Sequence, residues 1–135
     1  MTTKPGHFPA FWTECVTVHL DAKWRRVDRP LVYGTLIEND HGPALMVPAG
    51  FVTDFASINR PLWGLLPRDG TYGPAAVLHD WLYSSGVVTR AQADAIFLEA
   101  MEYCGTLAPV RRVMWFSVRA FGWLFYEKKR KSFPA

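Results

Sequence analysis

Ala75-Ala-Val-Leu-His-Asp-Trp-Leu-Tyr83, resumed after a short break by Arg90-Ala-Gln-Ala-Asp94, is the stretch on which the fold turns. Gly73-Pro74 opens the first run with proline at an early helical position, where its missing N–H costs nothing. Gly86 supplies a left-handed stop. Thr89 and Gln92 have capping-box spacing, so a second helix is expected to start at about residue 90. It runs to about Tyr103, where Gly105 ends it. The connection Ser85-Gly-Val-Val88 is short, and the two helices should therefore lie antiparallel.

That hairpin carries polar groups in apolar surroundings, a costly arrangement unless they pair with one another or with a metal. His79 stands about six residues before the turn and Asp94 about five after the cap, so at roughly 1.5 Å per residue they reach a similar depth. They are expected to face each other. Tyr83, four residues beyond His79, shares its face. Asp80 lies about 100° round the helix and must point elsewhere. A carboxylate on one imidazole nitrogen fixes the tautomer and leaves the other as a base. A second carboxylate could hold a divalent cation that polarises a carbonyl. The same residues admit a purely architectural reading, with His79 hydrogen-bonded inside the hairpin and Asp80 and Asp94 capping or pairing with Arg90.

Outward from the hairpin, the preceding half reads as strands. Cys15–Leu20, Trp24–Val27, Leu31–Ile37, Ala44–Val47 and Phe51–Thr53 are short, β-branched or alternating, and Asn39-Asp-His-Gly42 has turn chemistry. A small, mostly antiparallel sheet is expected. Arg60–Pro67 reads as a short helical turn or an apolar loop. Thr53, Asp54 and Ser57 suit a turn or cap, or else Asp54 joins His79 and Asp80 as a third site carboxylate or metal ligand. A metal phosphohydrolase built on a His-Asp doublet would need further histidines. Only His7, His19 and His41 remain, all in the N-terminal part.

After the hairpin, Pro109 opens a third helix to about Lys129. Its run Val110–Tyr126 is apolar around nearly the whole circumference, broken by Ser117, Arg119 and Gly122, and ends in the basic Lys128-Lys-Arg-Lys131. Such a helix is expected to be buried on most sides, between sheet and hairpin. The alternative is a docking element, aromatic for a partner or membrane surface and basic for anionic phosphates.

The chain has 135 residues, half of them apolar and 15% aromatic, which suits one domain with one core. Net charge is +3 and the excess of positive charge is local to the C-terminal end, a poor footprint for nucleic acid. Cys15 and Cys104 lack metal-ligand spacing and read as reduced, half-buried thiols, with a disulfide as the alternative. No signal-peptide pattern and no transmembrane run is seen. The expected location is a cytoplasm, unless the chain leaves as part of a larger particle.

Two resemblances follow from these motifs. Leu78-His-Asp-Trp-Leu-Tyr83 with Arg90, Asp94, Phe97 and Met101 resembles the His-Asp-x-x-Tyr helix and following Asp-bearing helix of bacterial secreted phospholipase A2 enzymes. That likeness implies that His79 activates water, Asp94 orients His79 and Asp80 binds Ca²⁺. It spans about 30 residues, and upstream of the histidine this chain has Pro61-Leu-Trp-Gly-Leu65 where those enzymes have a glycine-rich calcium loop. The longer resemblance runs through Val47-Pro-Ala-Gly-Phe-Val-Thr-Asp-Phe-Ala-Ser-Ile58, Pro61, Gly70, Tyr72, Ala76 and His79-Asp80. It is similar to domain-of-unknown-function family 1353, carried by phages and prophages, and it implies such an origin without an activity.

The expectations are these. The fold is α+β: a small antiparallel N-terminal sheet, an antiparallel helical hairpin and a C-terminal aromatic helix, in one domain. The candidate catalytic residues are His79, Asp94 and Tyr83, with Asp80 and Asp54 as candidate ligands for Ca²⁺. The function is either a phospholipase A2-like hydrolase borne by a phage, or a non-catalytic virion or tail assembly protein that docks on phage structural proteins or a lipid surface through the last helix.

Overall fold

The computed structural model describes residues 6–20, 24–54 and 72–132, and for Asp54 and residues 121–132 the backbone alone. The architecture is α+β, with six short strands followed by three helices. The strands are β1 (Ala10–Phe11), β2 (Thr17–His19), β3 (Trp24–Val27), β4 (Leu31–Gly34), β5 (Ala44–Val47) and β6 (Val52–Asp54). The helices are α1 (Gly73–Ser85), α2 (Arg90–Tyr103) and α3 (Ala108–Ser132).

The strands form two antiparallel three-stranded sheets, ordered β1-β4-β5 and β2-β3-β6, where one sheet was expected. Alternation decides which side chains enter the core. Leu45 and Val47 of β5 are buried while Ala44 and Met46 are exposed, the period of two that a half-covered sheet requires. Val27 and Thr53 do the same for the second sheet. The turn between β4 and β5 is built as its residues predict: Asn39 Oδ1 accepts from the amides of His41 and Gly42, each at 2.9 Å, and Gly42 takes a positive φ of 112°. Residues 60–67, read above as a helical turn or loop, lie outside the described residues.

The helix ends follow from local chemistry. Gly86 closes α1 in the left-handed region, its amide on the Leu82 carbonyl. Thr89 Oγ1 accepts from the Gln92 amide at 3.1 Å while Gln92 Oε1 accepts from the Thr89 amide at 2.9 Å, a complete capping box at the start of α2. Glu99 then fastens α2 to the first sheet. Its carboxylate accepts from the Tyr33 hydroxyl at 2.9 Å, the Thr35 hydroxyl at 2.6 Å and the Leu36 amide at 3.1 Å.

The central helix is α1, not the aromatic C-terminal one. Every residue from Ala75 to Ser84 is buried, because α1 packs against α2, α3 and the ends of both sheets through β5 and β6. Helix α3 lies on the hairpin, with Met114, Ser117 and Val118 buried against it and Arg112, Val113, Phe116 and Ala120 exposed. For residues 108–120, the part of α3 whose side chains are described, the expectation of burial on most sides is corrected accordingly. An apolar circumference does not reveal how many neighbours a helix has, and α3 has the two hairpin helices as its principal ones. Cys15 and Cys104 are free and half-buried, and burial pushes both thiols up to about 11.

Candidate functional site

Because α1 is surrounded, the polar residues of its middle turns are carried into the interior and must find partners there. His79 faces α2, and its Nε2 lies 2.7 Å from Asp94 Oδ1. Tyr83, one turn further on, donates its hydroxyl to the same oxygen at 2.5 Å. The imidazole packs against two rings, tilted at 4.1 Å from the Tyr83 ring centroid and stacked at 4.5 Å on Phe97. The expected juxtaposition of His79, Tyr83 and Asp94 is therefore present.

The second oxygen of Asp94 turns to α3. Arg119 Nη1 donates to Oδ2 at 2.8 Å, and Arg90 Nη1 stands 3.8 Å from it. Arg90 also donates to the carbonyls of Val118 and Arg119 at 3.1 and 3.3 Å. One carboxylate thus joins all three helices. Arg119 was legible only as a charge interrupting an aromatic run, and that interruption was the signal of a buried partner.

Asp80 points the other way, as its 100° offset requires. Its Oδ2 accepts from the Thr53 hydroxyl at 2.6 Å, tying α1 to β6. Thr53 is fully buried and Asp80 nearly so. Asp54 follows in the same strand, but its side chain lies outside the described residues. Ca²⁺ takes roughly six to eight oxygen ligands. Among the described residues no group of three or more acidic, histidine or cysteine side chains is gathered to hold a metal. The described residues alone do not make up a calcium site. The histidines a phosphohydrolase centre would need, His7, His19 and His41, are all exposed.

The electrostatics favour a charged Asp94. Burial works to raise its carboxyl, but the hydrogen bond and charge of His79, with the hydrogen bonds from Tyr83 and Arg119, outweigh it and hold the group below its ordinary value. Burial, then the adjacent Asp94 charge and hydrogen bond, push the Tyr83 phenol up, so it stays a donor. A carboxyl depressed in the folded state contributes stability that is present above its unfolded value, near 3.8, and is lost as pH falls through the folded one. The urea midpoint of the wild type should accordingly hold from neutrality to about pH 4 and drop below it. An Asp94→Asn variant should lack that component. Parallel acid limbs for the two proteins would show that Asp94 is not the group involved.

Around this network His79 and Asp94 have 0% exposure and Asp80 3%. An α+β domain with a buried His–Asp–Tyr cluster on a helical hairpin is the class so defined. The chain belongs to the family described as proteins of unknown function, DUF1353, whose model matches residues 25–118 and so takes in most of β3, strands β4 to β6, the hairpin and the start of α3. No curated protein and no solved structure matches it.

Proposed function

We propose that the hairpin carries a phospholipase A2-like ester hydrolase site with His79 as base. The observation that supports this reading is the 2.7 Å contact of His79 Nε2 with Asp94, reinforced by Tyr83 on the same oxygen. The imidazole held against that carboxylate is the base. It takes a proton from water as the water oxygen bonds to the ester carbonyl carbon. The tetrahedral adduct then collapses, the carbon–oxygen ester bond breaks, and the imidazolium returns the proton to the leaving alkoxide, giving an acid and an alcohol. Asp94, held ionised by its own partners, stabilises the imidazolium. No step is assigned to Ca²⁺. The resemblance to phage-borne proteins supports a setting in infection or in the virion.

A second reading is favoured by a specific observation, the complete enclosure of His79 and Asp94. In it the cluster only locks three helices together, and the chain is a non-catalytic virion or tail assembly protein.

Turnover separates the two. A soluble short-chain phospholipid ester is offered to wild type and to His79→Gln, whose amide can still donate to Asp94. The hydrolase reading expects a folded variant with the rate reduced about 10²- to 10⁴-fold. A wild type that turns over nothing, with or without Ca²⁺, discards it in favour of the assembly role.

A further inference from the structure

Helix α3 is longer than either helix of the hairpin. The hairpin helices have 13 and 14 residues, while α3 has 25. It starts beside the C-terminal end of α2 and runs back along it. At Val118 and Arg119 it has already reached the first turn of α2, as the Arg90 and Asp94 contacts record. Residues 120–132 remain helical beyond that level, roughly 20 Å at 1.5 Å per residue. Their sequence, Ala120-Phe-Gly-Trp-Leu-Phe-Tyr-Glu-Lys-Lys-Arg-Lys-Ser132, is aromatic first and strongly basic last. The half of α3 that lies on the hairpin already shows an outward apolar face. Phe116 is 68% exposed, Val113 lies beside it one helical turn back, and Leu107 just before the helix is 72% exposed.

We infer that α3 lays this face and its C-terminal half on an anionic lipid bilayer. Charge complementarity chooses the occupant. The exposed apolar residues Val113 and Phe116, with Leu107 just before the helix, are joined through α3 to four consecutive cationic residues, Lys128 to Lys131, and apolar contact joined to positive charge suits a surface of acyl chains under phosphate headgroups. No described helix is long and apolar enough to cross a membrane, so the helix lies in the interface. The inference does not depend on the hydrolase reading, because binding needs no turnover. If both hold, the bilayer is also the source of substrate.

The test is co-sedimentation of the full chain with large vesicles of phosphatidylglycerol and phosphatidylcholine, against phosphatidylcholine alone. The expected result is binding to the anionic vesicles only, weakened by salt, since screening shortens the reach of surface charges. A variant carrying K128A, K129A, R130A and K131A should bind about tenfold or more weakly. Phe116→Ala should also bind more weakly while keeping the salt dependence. Absence of binding, equal binding to neutral vesicles, or an unaffected quadruple variant would overturn the inference. So would concentration-dependent self-association abolished by the same substitutions without vesicle binding, which would assign the face to a second copy of the chain.

Discussion

Asp94→Ala is expected to lower stability by about 3–5 kcal/mol, because it removes the buried carboxylate at the centre of a hydrogen-bonded network and strands what that carboxylate satisfied. The stranded groups are the His79 ring, the Tyr83 hydroxyl and the Arg119 guanidinium. Two of these are fully buried and cannot turn to water. For a chain of this size the loss corresponds to a drop in Tm of roughly 10–20 °C. Arg119→Ala should cost far less, about 1 kcal/mol or below, because a third of that side chain is exposed and its contact is partly screened. The double variant should be less damaged than the sum of the two singles, since once the carboxylate is gone Arg119 has nothing on α2 to hold. Thermal and urea unfolding of the four proteins measures all three quantities. A loss below about 1 kcal/mol for Asp94→Ala would mean that the three helices are held by packing alone and that the network adds nothing.

The contrast between this hub and its surroundings shows what can be read along a chain. The hairpin was legible because its signals are local: Gly86, Thr89 and Gln92 each act on backbone groups within four residues. The His79–Tyr83–Asp94 grouping was legible for a related reason, since a short connection converts sequence spacing into depth and face. Which groups Arg119 and Thr53 would meet was not legible, because they reach Asp94 and Asp80 from 25 and 27 residues away and no periodicity relates them. Glu99, which collects Tyr33 of β4 and Thr35 just beyond it, escaped for the same reason. The division into two sheets is a matter of which strands pair, a non-local choice. β1, with two residues, is too short to show any alternation. Composition also misdirected the assignment of the central helix. The aromatic density of α3 exceeds that of α1, yet α1 is enclosed because it lies among α2, α3 and the strands.

Phe97→Ala should be nearly as costly to stability as the loss of Asp94, for a different reason. Phe97 has no exposure and its ring stacks on His79 at 4.5 Å, so truncation removes a large buried surface and leaves a cavity beside the imidazole. A loss of about 3–5 kcal/mol is expected from transfer and cavity terms together. Leu45→Ala, equally buried but in the first sheet, serves as the control at about 2–5 kcal/mol. The pair distinguishes packing from positioning. If His79 is a base, its ring must be held against rotation, and Phe97 supplies one wall while Tyr83 supplies the other. Turnover of the folded fraction should then fall in Phe97→Ala and stay at the wild-type level in Leu45→Ala. Equal turnover per folded molecule in both variants would show that the ring wall has no part in the chemistry. A Phe97→Ala protein within about 1 kcal/mol of the wild type would show that His79 is not tightly enclosed at all.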